Sequence, residues 1–579
     1  MRRSFKAGFT ILTFFQFIPV YGNGAEKPSV FHLSNILQNK NLVGLDFDSP
    51  EYRLASELEV QGFIHYRNKV LSKDQVLARR VQCSGPESEK SPFCPLVLNP
   101  KFGKLYEIDP AIRRGKNKKA KVLVRSVERG DLEGVLRLSE TTPETDLSQA
   151  FRFVKSSQVM ADFAEKVLKQ DHCSSNPLLV ALGLRLENEF PAVNFKLLAE
   201  ALYKKAYHCG KDQSSVAAGY RLGLFHIWSN RCDRAEEVLA NIPESPHASH
   251  PIDSFPIDYR MRIDYWRAVC AELMKNTSLR DTLKTKVLRS YPLSLHALIL
   301  AENSKNWEAQ LTRTFDPEIV LRGNKKGHEA LPRITRNVEV LLLRGENETA
   351  AILLREAIPQ VLKEEIPFRL YWSVLLQRAG DRANSFNLIA HIFRHDPSLI
   401  SKSTLQLLYP MEQFDKIQKS DPQGDPFLIL SLVRQESAFD VDARSSAGAQ
   451  GLMQLQWPTA RQFERVSAKQ LRDPQVNLRV GVKYLKKLEK RFSGRLDHAL
   501  AAYNAGPERI KVWSKRYSTP DPLLFLDLLP LQETRDYVSA IARNYYWYKR
   551  LYVHQLLSAG STEGGEKLLL LLGLHVVPS

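Results

Sequence analysis

Apolar residues recur at helical spacing over much of the chain. From about residue 145 to residue 404 the pattern reads as helix after helix. Two blocks resemble each other, Leu341-Leu-Leu-Arg-Gly-Glu-Asn-Glu-Thr-Ala-Ala351 and Leu375-Leu-Gln-Arg-Ala-Gly-Asp-Arg-Ala-Asn-Ser385. Each reads as helix, glycine turn, helix, and the glycines Gly345 and Gly380 are 35 residues apart. Asn230-Arg-Cys-Asp-Arg-Ala-Glu-Glu-Val-Leu239 has a similar turn and second helix. A period of about 34 suits stacked helical pairs, so an α-solenoid with a continuous core and a concave surface is predicted. An irregular helical bundle is the alternative.

From about residue 405 the texture changes, and short motifs crowd together as in a separate compact domain. Asp425 and Pro426 open a helix, one as cap and the other at the first helical position. Its apolar positions are Phe427, Leu428, Ile429, Leu430, Leu432 and Val433. Glu436 then falls four residues after Leu432 and seven after Ile429, on the apolar face. A carboxylate held there is partly desolvated, which raises its pKa from a free value of about 4.3 toward neutrality. Such a group retains a useful proton for acid catalysis. The plainer reading is a salt bridge to Arg434 or Arg444.

Nine residues beyond Glu436 comes Ser445-Ser-Ala-Gly-Ala-Gln-Gly-Leu-Met-Gln454. Gly448 and Gly451 permit tight turns and close approach of a ligand. Met453 and Gln454 offer a soft apolar surface and an amide at its end. Pro458-Thr-Ala460 opens another helix, and Asp473-Pro474 opens the next. A further helix ends in Ala501-Ala-Tyr-Asn-Ala-Gly506, with Gly506 as its stop. The last helix begins near Glu533-Thr-Arg-Asp-Tyr537 and carries Ile541, Tyr545, Tyr548 and Tyr552 at helical intervals, a stripe predicted to be core.

Taken in order, the motifs ESAF, SSAGAQGLMQL, PTA, AAYNAG and LPLQETRDYV resemble those of the soluble lytic murein transglycosylases. The resemblance is dense from about Leu408 to Tyr552 and looser over the preceding helices. It implies a mainly all-α chain, with an α-superhelical solenoid followed by a lysozyme-like α+β catalytic domain. It also implies Glu436 as the sole catalytic acid and base. Ser445, Gln454 and Tyr503 match positions lining the sugar cleft, and Glu533 matches a second acidic residue near it. Met453, Gln456 and Asn504 complete the expected substrate-binding set. The chain departs from the pattern at Gln456 and Trp457, where the family usually has Met then Pro.

The activity implied is cleavage of the β-1,4 bond between N-acetylmuramic acid and N-acetylglucosamine to leave a 1,6-anhydro end, as in cell-wall turnover. Glycosidases ordinarily use two carboxylates, but one suffices when the substrate assists. Asp440, Asp442, Asp497 and Glu508 lie in the region without a clear partner motif. A muramidase that hydrolyses the same bond and a non-catalytic wall-binding scaffold are the alternatives. No metal or cofactor is expected. The expected partners are peptidoglycan glycan strands, with cell-wall proteins docking on the superhelix, and the chain is expected to be a monomer.

Length and charge sharpen this picture. The 579 residues exceed one core, so several domains are expected. Arg2, Arg3 and Lys6, an apolar run from Ala7 to Val20, and Gly22 and Gly24 read as a secretory signal over residues 1–24. An uncleaved membrane anchor is the alternative. The remaining divisions are a region without a readable fold at 25–144, the superhelical domain at 145–404, the catalytic domain at 405–555 and a tail at 556–579. Removing residues 1–24 takes away three basic residues and no acidic one, which lowers the net charge from +18 to +15. A basic periplasmic protein suits an anionic wall or a membrane surface, and nucleic acid does not suit the compartment. The densest basic run, Arg113 to Lys121, reads as a solvated loop. The cysteines Cys83, Cys94, Cys173, Cys209, Cys232 and Cys270 permit disulfides. Pairing sequence neighbours gives 83–94, 173–209 and 232–270, one of 15 connectivities that six cysteines allow.

Overall fold

Helices, turns and two isolated β-bridges make up the computed structural model over residues 110–552, apart from 143, 155, 171–175, 190–192, 211, 244–258, 302–329 and 446. The leader expected at residues 1–24, Cys83, Cys94, Cys173 and the 556–579 tail lie outside the described residues. Among the described residues no helix is long and apolar enough to cross a membrane.

By contact the chain forms two compact units. One contains Glu107–Leu331 and Ala351–Ser579; the other contains Met1–Tyr106 and Pro332–Ala350. In the second, the described part is a turn between two helices, with Gly345 at φ 72°. Gly345 N donates to Leu342 O and Glu346 N to Leu341 O, at 3.1 and 2.9 Å. Among the described residues the first unit repeats this turn at several places. At Gly130, Asn230, Lys275 and Gly380 a residue of positive φ ends one helix. Its amide reaches back three residues, and the next amide reaches back five. This is the six-to-one closure that satisfies the last carbonyls of a helix. Asp131, Asn276 and Asp381 follow directly and cap the next helix through their side chains. Gly345 and Gly380, matched in the sequence, thus make the same local turn.

The basic run from Arg113 to Lys121 is not a loop, as expected, but part of the helix Pro110–Arg129. Further on, the Gln213–Trp228 helix is buried along most of its length. A Cβ on Gly223 would lie 2.4 Å from Leu239 Cδ2, so this glycine lets the Cys232–Leu239 helix close against it. Cys232 bonds to Cys270 and ties that helix to Tyr259–Leu273. Cys209 is also disulfide-bonded.

The C-terminal helices include Pro426–Ser437, Pro474–Arg491, Leu496–Ala505, Pro522–Leu528 and Gln532–Tyr552. Asp425 caps the first by accepting from Phe427 N and Leu428 N, with Pro426 at its first position. Asp473 and Pro474 do the same for the second. The β content of the described residues is two isolated bridges, Arg444 with Gln450 and Gln450 with Leu455. The aromatic stripe of the last helix is buried, and each hydroxyl has a partner. Tyr545 donates to Asp425 Oδ2 at 2.6 Å, Tyr548 to Pro410 O and Tyr552 to Tyr409 O, both at 2.9 Å.

A buried polar network joins the earlier helices to these. Asp527 is fully buried, pairs with Arg262, and accepts from Trp266 Nε1 at 2.7 Å and His296 Nε2 at 2.9 Å. Burial, with Arg262 beside it, keeps His296 well below its ordinary pKa and hence neutral. Arg221 donates to the carbonyls of Asp527 and Leu528 and pairs with Glu187. Glu187 also accepts from Tyr203 and Tyr517. Arg262 reaches on to Asp536, at 2.8 Å, in the first turns of the last helix. The start of that helix is thereby fixed, and it carries part of the candidate site.

Candidate active site

Glu436 sits in the last turn of the Pro426–Ser437 helix, half-buried. The helix stops just beyond it because Ala438 and Phe439 both adopt positive φ, at 47° and 67°. Neither is glycine, so the sharp turn after the acid is a strained one of the kind that clusters at functional sites. Phe439 is buried and Ser437 donates to Leu452 O at 3.0 Å, which anchors the turn. Burial raises the Glu436 carboxyl to about 7; a hydrogen bond from Tyr537 opposes the rise and the charge of Glu533 adds to it. Tyr537 Oη donates to Glu436 Oε1 at 2.5 Å. Arg434 does not pair with the acid: it donates to Leu408 O and Asn544 Oδ1 and lies over the Phe386 and Tyr409 rings.

The motif from Ser445 to Leu455 folds into a tight turn beside the acid. Ser445 Oγ accepts from Ala449 N at 3.0 Å, and its amide donates to Ala449 O at 3.1 Å. It braces the turn. Gln454 has φ 44° and sends its amide to Ala443 O and Gly451 O, at 3.1 and 2.9 Å. Gly451, at φ 75°, has Asn477 Nδ2 2.5 Å from where a Cβ would stand. Asn477 is the buried hub of the turn, donating to Gln450 O and Leu471 O and accepting from Met453 N. The Met453 side chain is fully buried, and its Sδ fills the space that Gly481 leaves open. What Met453 presents is its carbonyl, which accepts from Tyr503 Oη at 2.8 Å. Gln456 and Trp457 are exposed at the start of the short helix that follows.

Tyr503 and Asn504 come from the end of the Leu496–Ala505 helix, which Gly506 terminates at φ 90°. Asn504 donates to Glu533 Oε1 at 3.2 Å and accepts from Thr534 Oγ1 at 2.7 Å. Glu533 is exposed. Burial and the nearby Glu436 keep the Tyr503 and Tyr537 hydroxyls well above their ordinary pKa, so both remain protonated donors. Glu436, Tyr503, Tyr537 and Glu533 therefore share one electrostatic neighbourhood. Three of the other acids of the region have partners. Asp497 is held down to about 2: burial would raise it, but hydrogen bonds from His498 and Arg495 prevail. Glu508 pairs with Arg491, and Asp440 accepts from Asp442 N.

No motif in the sequence marks Tyr537 as a site residue. It stands four residues before Ile541, ahead of the stripe expected to be core, and it is buried. Its position four residues after Glu533 was the available signal, because that spacing puts both on one helix face. Among the described residues no cluster of His, Cys, Asp and Glu could hold a metal ion.

Residues 415–525 match the family model of the transglycosylase SLT domain. Over 146 residues the chain is 31% identical to the soluble lytic murein transglycosylase of Escherichia coli, an alignment covering 24% of this chain and 23% of that protein. Over 282 residues it is 34% identical to a membrane-bound lytic murein transglycosylase F of Desulfosudis oleivorans, covering 41% and 59%. The match thus spans about a quarter of the first relative and less than two thirds of the second. A solved structure of an inactive mutant of the lytic transglycosylase Slt from Pseudomonas aeruginosa superposes with a TM-score of 0.50 at 18% identity. That superposition covers 92% of this chain and 90% of the other. At that identity the likeness is one of fold.

Proposed function

We propose, from the premise that residues 415–525 are a transglycosylase SLT domain, that this protein is a peptidoglycan lytic transglycosylase working in the periplasm. The reading rests above all on Glu436, a carboxyl raised to about 7 and held by Tyr537 at the end of its helix. At neutral pH about half of such a group carries a proton, which an ordinary glutamate does not.

In the proposed mechanism Glu436 gives its proton to the glycosidic oxygen between N-acetylmuramic acid and N-acetylglucosamine. The carbon–oxygen bond breaks, and the positive charge growing on the muramoyl carbon is relieved by that sugar's own N-acetyl oxygen. Glu436, now a carboxylate, takes the proton from the carbon-six hydroxyl of the same sugar. The freed oxygen closes onto carbon one to give the 1,6-anhydro ring. Burial favours the neutral acid in the first half, and the Tyr537 hydrogen bond stabilises the carboxylate formed between the two. Tyr503 steadies the Met453 carbonyl, and Asn504 steadies Glu533, so both groups near the acid are held from the protein side. Ser445 and Gln454 act by shaping the turn, since both already bond within it.

Glu436→Gln tests the assignment. The amide retains an acceptor for Tyr537 but has no proton to donate, so strand cleavage is expected to fall by at least about a thousandfold. Cleavage at an undiminished rate would mean that another group is the acid.

A further inference from the structure

Three rings form a continuous run away from the acid. Tyr503 and Tyr484 have centroids 4.9 Å apart, and Tyr484 and Phe463 5.4 Å apart. Tyr484 and Phe463 are half-buried, so each keeps surface open to water. Lys487, itself exposed, has its ammonium 4.8 Å from the Phe463 centroid.

Phe463 belongs to a short segment that also carries Trp457, and the segment is pinned at both ends. Trp457 Nε1 donates to Val466 O at 2.9 Å, while the indole remains 38% exposed. Glu464, next to Phe463, accepts from Arg479 at 2.6 Å and from Lys483 at 2.8 Å. Arg461 lies 4.9 Å from the Trp457 ring. An indole with its N–H already used has no polar reason to face water. Held in place, it offers a flat apolar surface whose burial needs little further ordering.

We propose that Phe463, joined to Tyr503 through Tyr484, and Trp457 on the same segment form a platform that binds the glycan strand beyond the sugars being cut. The inference rests on the glycan-cleaving reading above. Sugar rings present an apolar C–H face that packs on aromatic rings, and a strand leaving the cleft along Tyr503 meets Tyr484 and then Phe463. Peptidoglycan also carries carboxylates on its peptide branches. Lys487 and Arg461 stand beside the two rings to meet them, being held there only by weak, exposed cation–π contacts.

The test uses the full chain with Glu436→Gln, so that ligand is bound and not cut. Calorimetry with β-1,4-linked N-acetylglucosamine oligomers from disaccharide to octasaccharide gives affinity against length. Adding Phe463→Ala or Trp457→Ala is expected to weaken the long oligomers about tenfold, the loss of roughly one good ring contact, and to leave the shortest unchanged. Phe463→Tyr and Trp457→Phe keep a ring and are expected to keep most of the affinity, which separates loss of the platform from loss of the fold. Lys487→Ala is expected to weaken peptide-bearing strands severalfold and bare oligomers not at all. An equal loss at every length, or none at any, overturns the platform and leaves the catalytic reading standing. No glycan binding by the Glu436→Gln chain itself overturns both.

Discussion

Tyr537 donates its hydroxyl proton to Glu436 Oε1 at 2.5 Å, although the two residues are 101 positions apart in the chain. One stands at the C-terminal end of a buried helix and the other in the second turn of the last helix. Burial of the acid and this single bond act in opposite directions on its proton, and burial prevails.

Tyr537→Phe removes the bond and preserves the ring. The carboxylate loses a donor, so its pKa is expected to rise above about 7, by roughly one unit for a hydrogen bond to a charged group. Activity requires the protonated acid. The wild-type rate is therefore expected to fall as pH rises through about 7, and the variant's fall to begin at higher pH. A pH–rate profile measures this, and coincident alkaline limbs would show that the bond does not set the proton's affinity.

The raised pKa also has a stability consequence. Between the ordinary value of 4.5 and about 7 the folded protein binds more protons at Glu436 than the unfolded chain. Wild-type stability is therefore lost as pH rises through that window, and stays lower above it. Glu436→Gln abolishes the effect. Relative to wild type, the variant is expected to gain about 3 kcal/mol on going from pH 4 to pH 8. Urea unfolding at the two pH values checks it. An unchanged difference would mean that Glu436 titrates normally.

Arg262 connects Asp527 with Asp536, just ahead of Tyr537. Arg262→Ala leaves the fully buried Asp527 with Trp266 and neutral His296 but without its cation. A loss of about 3–5 kcal/mol is expected, as for one partner removed from a buried pair. Arg262→Met with Asp527→Asn is expected to recover part of it, because no uncompensated charge remains. Unfolding midpoints of the single and double variants measure the difference, and equal losses would place the cost in packing.

Much of this architecture is legible in the residues. Glycine in the left-handed region marks the turns at Gly345 and Gly380, and Asp425 with Pro426 marks the start of the helix bearing the acid. The Glu436 stripe correctly signals a desolvated carboxylate. What remained hidden has physical causes. Lys275 makes the same turn as Gly380 without glycine, because the following Asn276 caps the next helix and the closure is satisfied regardless of side chain. Met453 looks like a soft contact surface, but Gly481 leaves a hole that its sulfur fills. Tyr537 follows the same period as the core tyrosines around it, and periodicity does not report which buried hydroxyl meets a carboxylate. The Asp527 network joins residues more than two hundred positions apart, a pairing that one sequence does not display.

The central claim is that one carboxyl acts first as acid and then as base on the same sugar. Mass spectrometry of the products released from purified peptidoglycan tests it most directly. The expected result is strands ending in 1,6-anhydro-N-acetylmuramic acid, absent when Glu436→Gln replaces the wild type. Reducing muramic acid ends, heavier by one water, would show that water takes the place of the carbon-six hydroxyl and would contradict the account.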